Sequence, residues 1–216
     1  MPWSVTIKNL DEFSKQFLEL GADQICLIGR VPPRDFRNPT KSGSLKALMS
    51  DGATMPRILR RLDGHLRAAG LSFVNLSRVF PRFSVDALVS RETNEIEKDV
   101  FLRVQQTANN AAGEFIPDSA VALSDGKVVT EGEGGMDALI DQIAIEPQLS
   151  PPAALVRACP TGLAGVLPSV IGPQTIQKCA NAGIQTIILD VNSTVVAERD
   201  RFEVAMSQSK IEIVSG

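Results

Sequence analysis

The chain has 216 residues, 44% of them hydrophobic and 22% charged, which is enough apolar content to bury one medium core or two small ones. A net charge of −3 argues against a broadly basic, nucleic-acid-binding surface, and no run of 18 apolar residues is present to cross a membrane as a helix. Three cysteines without CxxC spacing argue against a disulfide framework and suit a reducing cytoplasm, and the opening MPWSVTIKNLDEF lacks the basic and apolar regions of a secretory signal.

The first α/β unit is TIKNLDEFSKQFLELGADQICLIGRV. Asn9 or Asp11 is placed to cap a helix, and Leu10, Phe13, Phe17 and Leu18 recur at three- and four-residue spacing on one face. Gly21 stops that helix, and QICLIG reads as a short buried strand. PPRDFRNPTKSGS is rich in proline, glycine and serine and reads as loop. The same plan then recurs in MPRILRRLDGHLRAAGLSFVNL, with an arginine-rich amphipathic helix, Gly70 as stop and SFVNL as strand.

A domain boundary falls near residues 80–95, giving units 1–85 and 86–216. Beyond it NEIEKDVFLRVQQTANNAAG predicts a helix with acidic residues at its start. AVALS and KVVTE predict strands joined at Asp125-Gly126, and MDALIDQIAI predicts a helix. After the Pro-rich break EPQLSPP come strand AALVRA, loop CPTGLAGVLPSVIGP, helix QTIQKCANAG and strand IQTIILD. The chain closes with STVVAERDRFEVAMSQS and strand KIEIVS. The first unit reads as mainly parallel α/β and the second as mixed α+β.

Between KVVTE and MDALIDQIAI stand Gly132, Gly134 and Gly135, at a junction where proteins often hold phosphate. The spacing satisfies neither GxxxxGK[ST] nor GxGxxG. Glu131, Glu133 and Asp137 would repel a bare phosphate, so the segment suits a divalent cation or else a solvated turn. Cys159 starts a loop after a strand, where a nucleophile could sit. The only histidine, His65, lies in the arginine-rich helix, and a Cys-x5-Arg loop would need arginine at Gly165. A buried, inert Cys159 and a solvated His65 are therefore expected. SVIGPQTIQK places Pro173 and Thr175 at a helix start that suits a phosphate or a plain helix terminus. Arg57, Arg60, Arg61 and Arg67 form either an anion site or a solvated basic face.

The C-terminal third resembles the metal-dependent UDP-2,3-diacylglucosamine pyrophosphatase family of lipid A biosynthesis, whose members have a Rossmann-like domain followed by a distinct C-terminal domain. Ile171-Gly172-Pro173, Thr175, Ala182-Gly183 and the closing Ile213-Val214-Ser215-Gly216 follow that family's Ile-Gly-Pro-x-Thr, Ala-Gly and final-strand order. GKVVTEGEGGMDALI resembles its Val-x-x-Val-Glu-x-x-Glu-Gly-Thr-Asp-Ala-Met, aligning Glu131, Gly135 and Asp137 without a gap. LKALMS, LRRLDGHLRAAGLSFVNL and CLIGRV resemble its earlier segments, so the likeness covers nearly the whole chain.

The resemblance implies an α/β fold with a truncated Rossmann-like N-terminal half and a mixed α+β C-terminal domain. It implies Asp137 and Glu131 as catalytic and metal-binding residues, Mg2+ or Mn2+ if the chain is active, and Gly29, Arg30, Gly135, Gly172, Pro173 and Thr175 as phosphate or ligand contacts. The partner is a lipid-linked or nucleotide-linked sugar, with no nucleic acid and no transmembrane segment. A peripheral membrane contact, for example through VFPRFSVDALV, and homo-oligomerisation stay open.

The departures from the family pattern fall on its carboxylates. The first Glu of Glu-Gly-Thr-Asp is Gly134, the loop Gln-Asp falls on Gly162-Leu163, and the Asp of Asp-x-Pro falls on Leu167. The Gly-Asp-Asp before the arginine-bearing helix falls at Thr54-Met55-Pro56, and the family's Gly-rich opening segment has no counterpart. Pyrophosphate hydrolysis needs carboxylates to hold the cation and orient water. The expectation is thus a divergent member without the hydrolysis that keeps a ligand-binding or structural role. The alternatives are an active hydrolase releasing UMP and a sugar 1-phosphate, or a small-molecule binder unrelated to lipid A.

Overall fold

The structure is a computed structural model that describes residues 10–26, 54–111, 116–146 and 150–216. In chain order it contains α1 (Leu10–Glu19), β1 (Gln24–Ile25), α2 (Met55–Ala68), β2 (Ser72–Phe73), α3 (Leu76–Val79), β3 (Val89–Glu92), α4 (Glu95–Asn109), β4 (Ser119–Leu123) and β5 (Val128–Thr130). There follow α5 (Met136–Ile145), β6 (Pro152–Arg157), β7 (Ser169–Ile171), α6 (Pro173–Asn181), β8 (Thr186–Leu189), β9 (Thr194–Val196), α7 (Arg199–Ser209) and β10 (Glu212–Ser215).

Six of these strands form one sheet in the order β3-β10-β8-β6-β4-β5. The first four are parallel to one another, and β4 and β5 run antiparallel at the other edge. This is an α/β fold with a mixed central sheet. The apolar runs read from the sequence are the central strands, and their period-2 alternation decides which face each side chain meets. Val121, Leu123, Leu155, Ile187, Leu189 and Ile213 point to one face, against Leu139 and Ile140 of α5, Ile176 of α6 and Phe202 of α7. Their neighbours Ala120, Ala122, Ala154, Val156, Ile188 and Val214 point to the other, against Val100, Phe101 and Val104 of α4. Small alanines on that second face let α4 lie close to the sheet.

Local chemistry fixes the connections. Asn94 caps α4 by accepting from Ile96 N and Glu97 N, while Glu97 Oε2 accepts from Asn94 N at 2.9 Å. The β4–β5 hairpin turns at Ser124–Gly126, as Asp125-Gly126 predicts, with Asp125 Oδ1 accepting from Lys127 N.

The N-terminal elements make a smaller unit. β1 and β2 pair in parallel around α2, and Ile25, Leu66 and Leu71 form its core with Phe13 and Phe17 of α1. Leu18 differs from its expected place on the apolar face and is 42% exposed, whereas Ser14, one turn earlier, is buried. Asp11 lies inside α1 rather than capping it, and Asn9 lies outside the described residues. Met55 and Leu59 of α2 pack against Cys159, Leu163 and Val166, the loop after β6. Val85 belongs to the main core, and Ser84 bridges to Val195.

Two strands lie where the sequence reads as loop or is left unassigned. β7, inside CPTGLAGVLPSVIGP, pairs in parallel with β9 from STVVAERDRFEVAMSQS, and together they form a separate two-stranded ribbon. Three-residue strands carry too little periodicity to be read singly, and pairing with a partner twenty-odd residues away creates them.

Candidate functional site

In open α/β sheets ligands bind beyond the carboxyl ends of the parallel strands. Here β6 ends at Arg157 and β8 at Leu189, next to Asp190, and the antiparallel strand β4 starts at the same edge, with Ser119 opposite Arg157. β5 runs out at that edge too, and Glu131 N donates to Ser119 O at 2.9 Å. The strand register thus gathers Asp118, Ser119, Glu131, Arg157 and Asp190 from four elements far apart in the chain.

Glu131 is buried. Its Oε1 accepts from the backbone amides of Asp118 at 3.0 Å and Ser119 at 2.9 Å. Burial pushes its carboxyl up to about 8, and a hydrogen bond to the Asp118 carboxylate pushes in the same direction. Burial and the neighbouring Asp118 thus both favour the neutral form of the Glu131 carboxyl. Asp118 Oδ2 in turn accepts from Arg157 Nη2 at 3.2 Å, and Arg157 Nη1 stands 3.2 Å from Asp118 Oδ1 in the same ion pair. Arg157 Nη1 also donates to Ser119 Oγ and lies 3.9 Å from Met136 Sδ, whereas its Nε is buried without a partner. The arrangement is a neutral acid, a carboxylate and a guanidinium in one chain of hydrogen bonds. The cation of the cluster already has its anion.

The neighbouring groups are occupied by the fold. Asp190 N donates to Arg157 O, and the Asp190 carbonyl accepts from Ser193 N, Ser193 Oγ and Thr194 Oγ1. Cys159 is buried beside this turn. Desolvation, with the carboxylates of Asp190 and Asp118 nearby, drives its thiol far above the ordinary cysteine value, so it is an inert core residue.

The residues that the sequence singles out fall in different places. Glu131 sits in the cluster just described. Asp137 is exposed on the first turn of α5, where a carboxylate favours the helix dipole, and its carbonyl accepts from Lys178 Nζ of α6 at 3.5 Å. Gly135 takes φ of 81° as the residue before α5, a conformation that glycine adopts without strain. A Cβ at Gly134 would stand 2.7 Å from the Ala138 Cβ, so the position at which the family pattern has glutamate has no room for a side chain here.

Gly172 and Pro173 begin α6. Thr175 is buried, and its Oγ1 accepts from Gly172 N at 3.4 Å, closing the helix start on itself. Gly29 and Arg30 lie outside the described residues. Arg60 is drawn out of the basic face of α2 to donate to Asn109 Oδ1 and Thr161 O. His65, expected to be solvated, is half-buried because α2 packs along two of its sides.

A divalent cation at Glu131 and Asp137 does not fit these side chains. The Glu131 carboxyl is buried and committed to backbone amides, Asp137 faces solvent on a helix, and among the described residues no group of three or more His, Cys, Asp and Glu side chains is arranged to hold a metal ion. Sequence reasoning missed Asp118, Ser119 and Arg157. Their signal is a charged or polar residue at the edge of an apolar run, Asp118-Ser119 before AVAL and Arg157 at the end of AALVR. No helix among the described residues is long and apolar enough to cross a membrane. No protein-family model matches the chain, and no curated protein matches it either.

Proposed function

We propose that the chain is a divergent member of the UDP-2,3-diacylglucosamine pyrophosphatase family that has lost the hydrolysis and retains a binding role for a nucleotide-linked or lipid-linked sugar. One observation carries the reading: the carboxyl that the resemblance gives to the metal, Glu131, is buried and turned inward, its Oε1 accepting from the backbone amides of Asp118 and Ser119. A hydrolytic centre of this kind needs charged, accessible carboxylates around its cation. Glu131 and Asp137 provide one buried carboxyl tied to backbone amides and one solvent-facing carboxylate. The close approach of Gly134 to Ala138 supports the same conclusion, because a side chain at that position requires Ala138 to shift. The likeness in motif order supports retention of the sugar-nucleotide ligand, and the carboxyl ends of β6 and β8 are where an open sheet would receive it.

The test is direct. The purified protein, incubated with UDP-2,3-diacylglucosamine and Mg2+ or Mn2+, is expected to bind the compound by calorimetry and release no UMP. UMP release that disappears in Asp137→Asn would overturn the loss of hydrolysis. Failure to bind either UDP-2,3-diacylglucosamine or simpler UDP-sugars would overturn the ligand.

A further inference from the structure

The six-stranded sheet ends differently at its two edges. β3 is guarded: it carries Arg91 and Glu92, Arg91 pairs with Glu97 and Glu212, and its register against β10 shifts once. β5 has none of these devices. It reads Val128-Val129-Thr130, with no proline, no charge and no register shift against β4. Val128 and Val129 are half-buried and Thr130 is exposed.

The ladder to β4 fixes which backbone groups of β5 face outward. Leu123 N donates to Lys127 O at 2.8 Å and Glu131 N to Ser119 O at 2.9 Å, with Val129 opposite Val121 between them. Antiparallel pairing alternates along a strand, so Val129 turns its amide and carbonyl towards β4 as well. Those of Val128 and Thr130 point away from the sheet, and among the described residues no strand pairs with them. These two residues are spaced evenly about Val129, so the edge is its own complement under a two-fold axis.

We propose that β5 pairs antiparallel with β5 of a second copy of this chain, about an axis through Val129, and joins two sheets into one. Val128 of each copy exchanges backbone hydrogen bonds with Thr130 of the other, and the two Val129 side chains meet on the axis. Charge favours this occupant. Lys127, with 77% of its side chain exposed, is set beside the acidic turn Glu131-Gly132-Glu133 of the other copy. Gly132 is exposed with open space around it, which leaves room for the hairpin turn of that copy.

A three-residue strand alone buries less than the roughly 1,200 Å2 that a stable dimer needs. α5 extends the contact. Its Asp141 side meets Lys178 of α6, and the flank turned away from α6 carries Ala138, Gln142 and Ile145. All three are exposed and uncharged, Ile145 at 80%. The axis stands perpendicular to the sheet, so α5 of both copies lies on the same face and these flanks approach each other. The pairing needs no ligand and is independent of the sugar proposed above.

The test is sedimentation velocity of the whole chain across a concentration series, where a monomer–dimer equilibrium in the micromolar range is expected. Thr130→Pro removes an outward amide without touching the β4 ladder and should raise the dissociation constant about tenfold or more. Ile145→Lys should raise it severalfold. Val129→Cys reads the register. Directly opposed residues of this type bring their Cα atoms to about 4.5 Å, which suits a disulfide, so oxidation with copper phenanthroline should link the dimer. Lys127→Cys, which faces Glu131 of the other copy, should not link, and the wild type controls for Cys26 because Cys159 and Cys179 are buried. Should Thr130→Pro lower the melting temperature, the Val129→Cys link still decides. A monomer at every concentration with no Val129→Cys link would overturn the proposal. Equal linking through Lys127→Cys, or a dimer indifferent to a folded Thr130→Pro, would sink it too.

Discussion

Glu131 shows how far a residue's chemistry is set by its surroundings. Its segment reads as an acidic, glycine-rich turn fit for a cation or for solvent, yet the side chain points inward and accepts two amides. The sign of the pH effect follows from its raised value. The folded-state carboxyl titrates near 8 and the unfolded one near 4.5. The stability that the neutral acid contributes is therefore fully present below about pH 4.5 and is lost as pH rises through 8. Glu131→Gln keeps an acceptor for the amides and a donor for Asp118 without titrating. Urea unfolding should show this variant gaining stability relative to the wild type as pH rises from roughly 5 to roughly 8. Glu131→Ala leaves both amides buried without an acceptor and should cost about 2–4 kcal/mol at pH ~6. An unchanged difference between wild type and Glu131→Gln across that range would show that the carboxyl is not buried as described.

At the scale of elements, the connection from β5 to α5 explains the glycines that resemble a phosphate loop. Gly135 takes a positive φ before the helix, and Gly134 approaches Ala138 too closely to bear a Cβ. Gly134→Ala should destabilise the protein by about 1–3 kcal/mol, the usual cost of overpacking. Adding Ala138→Gly should recover part of that loss by vacating the contact, less about 1 kcal/mol for glycine inside a helix. Thermal melting of the single and double variants measures both. No recovery would place the strain elsewhere. The longer elements were legible without the structure. α4 has its acidic start and Asn94 cap, β4 and β5 have their Asp-Gly turn, and α6 follows Gly-Pro. β7 and β9 were not, because each exists through the other.

At the scale of the molecule, the N-terminal unit is fastened to the sheet by apolar packing of α2 on the loop after β6 and by polar ties, one of them centred on Arg60. Arg60 joins Asn109, at the end of α4, to Thr161, and Asn109 Oδ1 also accepts from Thr161 N. Arg60→Ala should raise amide exchange in α2 severalfold, corresponding to about 1 kcal/mol, while the protection of β4, β6 and β8 stays as it was. Loss of protection across the sheet as well would mean that the two units unfold as one.

The sequence alone determined the α/β class, the main strands and helices, the inert Cys159 and the turn at Asp125-Gly126, because propensity, period and capping act within a dozen residues. It also marked Glu131, but with the wrong environment. Only the tertiary structure decided that Asp118, Ser119, Glu131 and Arg157 meet, that Asp137 stands apart from them, and that Arg60 serves as a latch. Those outcomes depend on strand order and register, which bring residues 118, 131, 157 and 190 to one edge through pairings that no local pattern encodes. Burial then changes what the gathered side chains are, turning an acid that would be charged in water into a neutral hydrogen-bond donor.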